Sequence, residues 1–517
     1  MSTTSPTENQ AQTHRQRPEL HVTAELGVLE APAGAVLANG NIHVFHQFRP
    51  RANEGSRWAH QVASEVPYDW DVCDDVLTPE GDEVDVLAGS SVPLDADPSC
   101  APEDRGAVEL FFVTSTADGA PHDNAELLGN RIHHGERGQR RFTVQRALIP
   151  DLSELVDVSD DPTPADPRVR RLGPIEIDDS KYPLPGDLVT PSVIWHRDSW
   201  LMVALSLEGE SDAKIVKLRS HDRQHWRVEG ALELSSNANV PAGRPFAPRI
   251  ITLTDDATGE QKDVLFITYV AEGSDSDEVV GYVVGKLGGA HFEVTTPWTT
   301  FDFGHDFTRP RVVQADNPVI FGLVGAHPSY EGQWANCLSS PRFLSLVDGH
   351  LYQDVVGTPR AVKGYSDRAL IWTGQLDTEQ GEVAVDVLDK DGQRIVRVSH
   401  SATSVTVTRG EGDSAVAQLE PTDDSSTLTI FVDGPVCEVF ADGGATSLTS
   451  AIPAHRRVSK FDATVSGGAA ITHSMVTVGQ DLLRSRAGLD SPEAQERFMA
   501  EALVADREVA EGLVDED

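Results

Sequence analysis

From about Leu20 to Val355 the chain alternates short apolar runs with turn signals, and long stretches of 3.6-residue period are missing. Ala35–Ala38 and Ile42–Phe48 flank Asn39-Gly40, a dipeptide that tolerates the two positive φ angles of a tight hairpin. Ser192–Trp195 and Trp200–Ser206 flank the polar break His196–Ser199. Val108–Thr114, Asp263–Val270, Val279–Val284 and Pro318–Val324 read as further strands. Many short strands joined by turns predict an all-β sandwich, barrel or propeller. One internal echo favours the propeller. Ser64 precedes Trp70, and Ser220 precedes Trp226, by the same spacing after a β-like run.

Two patches read as linkers. Asp157–Pro167 is acidic and Pro-rich, which predicts an exposed loop, and Gly357–Gly364 sits where the pattern changes. Beyond it, Val383–Leu388, Ile395–Ser399, Val405–Thr408, Thr427–Val432 and Val436–Phe440 alternate as half-buried antiparallel strands do, which predicts a β-sandwich. Ser491 to Leu513 reads as a helix, with Ser491 as N-cap and Pro492 at the first helical position. Its apolar face (Phe498, Ala502, Ala505, Val509) is thin, as in a docked tail.

Composition narrows the function classes. Hydrophobic residues make up 39% of the 517 positions, which excludes a disordered chain or a collagen-like fibre. Against 42 Lys and Arg stand 82 Asp and Glu, a net −40 at pH 7. Such a surface repels phosphate backbones and anionic lipid, so nucleic acid and membranes are excluded as partners while a neutral sugar is not. Cys73, Cys100, Cys337 and Cys437 are dispersed and offer no zinc ribbon, dithiol site or disulfide framework. Met1–Pro18 is polar, and no apolar run approaches the roughly 20 residues of a membrane span, so a cytoplasmic location is expected. His43 and His46 are three apart in a strand and point to opposite faces, and His133-His134 lie in an Arg-rich loop, so no metal site is expected. No nucleophile elbow, P-loop or dinucleotide fingerprint is present.

Gly27-Val-Leu-Glu-Ala-Pro-Ala-Gly34 followed by Asn39-Gly-Asn-Ile-His-Val-Phe-His-Gln-Phe48 resembles the opening of the family 32 glycoside hydrolases, the β-fructosidases. That family reads G-W-M-N-D-P-N-G, then N-G-x-Y-H-L-F-Y-Q-Y, at the same spacing. Trp58-Ala-His60, Ser64 to Trp70, Leu87 to Val92, Asp302 to Phe307, Trp334 to Arg342 and Leu428 to Phe440 are similar to later family motifs, in the same order. The resemblance implies a five-bladed β-propeller followed by a β-sandwich. The expected division is a disordered tail over 1–19, the propeller over 20–355, the sandwich over 356–480 and a helical tail over 481–517. It implies no metal and no organic cofactor, and a fructose-containing sugar as partner. Gln47, Trp58, Ser90, Asp302 and Asp306 are the implied substrate contacts.

The family's chemistry is retaining hydrolysis by a carboxylate nucleophile and a carboxylic acid about 5 Å apart. Its nucleophile position is Ala31 here, its sugar-orienting Asp is Thr190 with Val189 in place of Arg, and its acid/base is Phe246. A methyl group can neither attack nor carry negative charge, and a phenyl ring has no proton to give. Leu87-Ala88 stands where the family has Phe-Ser, and Leu323 near where an aromatic would line the pocket. Glu30 is the candidate substitute, although a regular strand would turn it away from Ala31. The expectation is a family 32-like protein of sucrose or fructan metabolism that is catalytically impaired or a pseudoenzyme. Two alternatives stand beside it: an active β-fructofuranosidase or other glycosidase with relocated carboxylates (Glu30 with Asp302 or Asp306), and a partner-binding scaffold without a sugar ligand.

Overall fold

The hairpin at Asn39-Gly40 shows how the blades begin. Both residues have positive φ, 52° and 83°, and the turn joins strands Gly27–Ala38 and Asn41–Arg49 in register. In this computed structural model the described residues are 17–486, apart from 64–67, 118–139, 157–164, 209–211, 272–277, 314, 316–317, 326–333, 356, 411, 420–425 and 454–455. The Ser64 echo, the His133-His134 pair, most of the acidic loop and the helix expected from Ser491 lie outside them. Trp70 and Trp226, the other ends of the echo, each stand on the fourth strand of a sheet.

Five antiparallel sheets follow one another from Gly27 to Asp354. Their first strands are Gly27–Ala38, Glu83–Pro93, Leu188–His196, Gly243–Thr254 and Phe307–Val313, and each touches the next, the last touching the first. This closed ring is the axis of a five-bladed propeller. Trp334–Ala335 pairs parallel with Gly27–Val28 and so ties the last blade to the first. Closure leaves few unpaired strand edges. The cores lie between blades: Val36, Phe45, Trp58, Val86 and Leu110 pack together between the first two sheets.

The second domain has two sheets, one of Leu370–Asp377, Ser426–Asp433, Val436–Ala441, Thr446–Ala451 and Ala470–Val478, the other of Gly381–Asp389, Arg394–Ser401, Ser404–Arg409, Asp413–Gln418 and Val458–Gly467. Val383, Val385, Val387, Leu428, Ile430 and Val432 alternate inward and form its core, the period-two signal of a sandwich. Two readings change. The expected linker Gly357–Gly364 holds a helix, Thr358–Tyr365, with Pro359 in its first turn, and Ala361 and Val362 pack on Leu20, Ile371 and Phe431. The expected disordered tail over 1–19 is ordered from Arg17: Glu19 accepts from the backbone of Asp367 and Arg368 and pairs with the Arg368 guanidinium at 2.5 Å.

The domains meet through a buried chain of charges. Arg342, fully buried, donates to Asp302 at 2.9 Å from the propeller and to Glu438 at 2.8 Å from the sandwich. Phe307 and Phe440 lie against its guanidinium, with ring centroids at 4.4 and 5.1 Å. Glu438 also meets His21 Nε2 at 3.2 Å, and His21 Nδ1 meets Asp433 at 2.7 Å. Burial alone would lower the His21 pKa, but hydrogen bonds to Asp433 and Glu438 raise it to about 9. Burial would raise Glu438, yet the Arg342 charge and the His21 hydrogen bond bring it to about 2.

The first blade carries a different histidine group. His43 and His60 are 3.0 Å apart through Nδ1 and Nε2, and His60 stacks on Phe45 at 4.9 Å. His46 faces the opposite side, as its spacing predicts, edge-on to Phe48. Burial lowers His43 to about 4 and His46 to about 3, and burial with the neighbouring imidazoles lowers His60 to about 3.

Two outcomes follow from these groups. Arg342→Met strands Asp302 without a cation and leaves Glu438 with His21 alone, and a loss of about 3–5 kcal/mol is expected in urea unfolding. Stability is also expected to fall on both sides of neutrality. The His21 contribution is whole below its ordinary pKa of 6.5 and is lost as pH rises through about 9. The contributions of neutral His43, His46 and His60 are whole above 6.5 and are lost as pH falls toward about 4 and 3. Urea midpoints measured across pH check this: His21→Gln flattens the alkaline limb and His60→Phe the acid limb.

Candidate functional site

All five inner strands break their pairing register at matching places: Leu29/Ala31 and Pro32/Gly34, Leu87/Ser90, Val189/Ser192, Phe246/Arg249 and Thr308/Arg311. A bulge re-aims consecutive side chains and is a common device beside binding sites. Three of the bulges carry a non-glycine residue at positive φ directly before proline: Thr190 at 52°, Ala247 at 45° and Arg309 at 52°. Such backbone is strained, because the following proline ring favours extended geometry. The second bulge uses Gly89 instead, where an added Cβ would lie 1.7 Å from the Phe111 carbonyl oxygen. Ala31, Thr190 and Phe246, the positions at which the sequence resemblance leads one to expect the three family acids, thus all stand at bulges of the ring.

Each position presents chemistry other than an acid. Ala31 packs on the core between the first two blades and stands opposite Gln47. The Thr190 hydroxyl is buried without a partner, and its carbonyl accepts from Arg249 at 2.9 Å. Phe246 lies under the Arg309 guanidinium, 5.4 Å from ring centroid to Cζ. Arg309 donates to the Glu30 carbonyl of the first inner strand at 3.3 Å and pairs at 2.6 Å with Glu278, on the third strand of the fourth blade.

Glu30 does not point away from Gln47 as a regular strand would require. The bulge at Leu29/Ala31 brings its carboxylate onto Gln47 Nε2 at 2.5 Å, Ser56 Oγ at 2.6 Å and Arg49 Nε at 3.0 Å. Arg49 also meets Asp85 at 2.9 Å, and Asp85 meets Arg140 at 3.0 Å. Both oxygens of Glu30 therefore accept from fixed donors. Glu278 is a further carboxylate beside the ring, and it too is engaged on both oxygens, by Arg309 and Thr308. No motif announces Glu278. It becomes visible only when its strand is seen next to Arg309. The repeat Thr190-Pro-Ser, Ala247-Pro-Arg and Arg309-Pro-Arg would have marked the equivalent strands in the sequence.

The residues expected to touch substrate are distributed differently. Gln47 stays at the ring, its Oε1 accepting from the Ala88 backbone at 2.6 Å. Trp58 is wholly buried, and its indole N–H donates to the Leu87 carbonyl at 3.1 Å. Ser90 accepts from the Val193 backbone at 3.1 Å and joins the second inner strand to the third. Asp302 and Asp306 belong to the seam between the domains. Asp302 is held by Arg342 and Thr449, and Asp306 by Arg409 at 2.5 Å and the Ala451 backbone at 2.7 Å. Neither can pair with Glu30 as a relocated carboxylate, because the sandwich occupies both. Among the described residues no three His, Cys, Asp or Glu stand together as metal ligands.

Comparisons with known proteins agree on the family. The model described as glycosyl hydrolases family 32 N-terminal domain matches residues 187–355, and that for the family 32 C terminal matches residues 375–476. A probable sucrose-6-phosphate hydrolase of Psychromonas ingrahamii is 22% identical over 84% of this chain and 77% of its own length. The sucrose-6-phosphate hydrolase of Bacillus subtilis is 23% identical over 84% and 88%. Among solved structures, the β-fructofuranosidase of Schwanniomyces occidentalis complexed with fructosyl-erythritol superposes with a TM-score of 0.67 at 15% identity, over 89% of this chain and 97% of that one. The sucrose-6-phosphate hydrolase of Lactobacillus gasseri gives 0.66 at 18% identity, over 92% and 96%. With both domains matched and the propeller–sandwich fold shared, the chain is a family 32 glycoside hydrolase-like protein.

Proposed function

We propose that this protein is a non-hydrolytic member of sucrose or fructan metabolism, a pseudoenzyme that keeps the propeller funnel for a fructose-containing sugar. One observation carries the reading: Ala31, Thr190 and Phe246 hold no carboxylate, and two carboxylates beside the ring, Glu30 and Glu278, are bound to Arg49 and Arg309. Retaining hydrolysis needs one carboxylate free to attack and one carboxylic acid free to give its proton. A side chain whose two oxygens already accept from guanidinium, amide or hydroxyl donors is free for neither.

Gln47 and the polar groups around Glu30 supply hydrogen-bonding partners suited to sugar hydroxyls, and Phe246 supplies an aromatic face. These support a binding role. A cytoplasmic location belongs to the same proposal, as does the absence of nucleic acid and membrane among its partners, which the acidic surface favours. The Phe246–Arg309 contact favours a second reading. A guanidinium stacked on the ring covers the place where a sugar would sit, as in a scaffold that binds protein and no sugar.

Purified protein is expected to release no glucose or fructose above background from sucrose, sucrose 6-phosphate or inulin, measured by an enzyme-coupled sugar assay. Turnover that Glu30→Gln or Glu278→Gln abolishes would overturn the non-hydrolytic reading. In calorimetry, fructose, sucrose or a short fructan is expected to bind saturably, and Gln47→Ala to weaken that binding about 10-fold, the loss of one or two hydrogen bonds. Flat traces for every sugar would select the scaffold reading.

A further inference from the structure

The ring of inner strands holds two arginines that the sugar site does not use. Arg249 and Arg311 each follow the proline of a bulge, on the fourth and fifth inner strands, which neighbour each other. They are 3% and 4% exposed. Both donate to backbone carbonyls of the ring: Arg249 Nη1 to Thr190 at 2.9 Å and to Pro248 at 2.5 Å, and Arg311 Nε to Pro32 at 3.1 Å. Arg249 Nε and Arg311 Nη1 are buried with no partner.

Carbonyl oxygens bring partial charges only. Among the described residues no carboxylate pairs with either guanidinium, although the other buried arginines, Arg146, Arg309 and Arg342, each have one. Burial lowers Arg249 to about 9, and burial together with the Arg249 charge depresses Arg311 further. Two buried like charges close enough to repel one another are a costly arrangement for a fold to hold. The chain's 82 acidic residues do not relieve it, because charges on the solvated surface are screened over about 10 Å. What relieves it is a counter-charge inside the ring. Guanidiniums are planar forks that match the oxygens of an oxyanion, and one anion between two of them neutralises both.

We propose that the propeller axis is a binding site for a small inorganic anion, held between the guanidiniums of Arg249 and Arg311. The anion is a resident of the scaffold. It braces the fourth and fifth inner strands against the first and third, and it is separate from any sugar held near Gln47. Ser192 occupies the matching place after Pro191 on the third inner strand, which leaves the positive charge to the two arginines alone.

The test is thermal unfolding of the full chain in a dilute zwitterionic buffer. Sodium phosphate, sulfate and chloride are each titrated against sodium gluconate at equal ionic strength. At least one small anion is expected to raise Tm saturably, by about 3 °C at a hundred times its Kd, and the rise is expected to vanish in Arg311→Met and in Arg249→Met. In gluconate, Arg311→Met is expected to melt no lower than the wild type, since it removes an uncompensated charge. Equal melting of the wild type in all salts, or an unchanged anion effect in both variants, overturns the proposal. If the variants do not fold, crystals of the wild type soaked in bromide or tungstate decide. An anomalous peak within hydrogen-bond reach of Arg311 Nη1 supports the site, and an empty ring overturns it.

Discussion

A buried guanidinium must find negative charge, and the placing of Arg342 between Asp302 and Glu438 is the constraint on which the two-domain arrangement depends. One partner belongs to the propeller and the other to the sandwich, so neither domain can satisfy Arg342 alone. Glu438 passes the constraint on to His21, and His21 to Asp433, which also accepts from the backbone of Glu19, Leu20 and His21. The arm before the first blade is thereby clamped to a strand more than 400 positions later in the chain. A buried pair of this kind adds little net stability, but breaking it is expensive, and that asymmetry makes the seam specific.

The ring of inner strands obeys a second constraint, that of closure. Five strands can converge on an axis only if each one bends, and the bulges at Ala31, Gly89, Thr190, Ala247 and Arg309 are where they do so. A methyl group, a hydroxyl, a phenyl ring and a guanidinium stand at these bulges, on Ala31, Thr190, Phe246 and Arg309. The strained φ angles at Thr190, Ala247 and Arg309 recur at equivalent places on three neighbouring inner strands, so the bulges serve the closure of the ring.

Both constraints concern where charge is allowed in the interior. Around Glu30, Arg49, Asp85 and Arg140 the signs alternate and each donor has an acceptor. At Arg342 the same holds across two domains. At Arg249 and Arg311 it does not, and the imbalance lies on the axis that all five blades share.

Sequence pattern sufficed for the strand runs, the Asn39-Gly40 hairpin and the change to a sandwich pattern. These are local properties: side-chain period and turn chemistry. It misread Gly357–Gly364 as a linker, because the glycines hid a helix whose stability comes from Ala361 and Val362 packing on Leu20 and Phe431. Only the tertiary structure decided the carboxylates. It turned Glu30 onto Gln47 through a bulge, gave Asp302 and Asp306 to the sandwich, and set Glu278 beside Arg309. The physical reason is that a charge's partner is chosen by proximity in space, and closing a propeller onto a second domain joins residues tens to hundreds of positions apart, which no local pattern can encode.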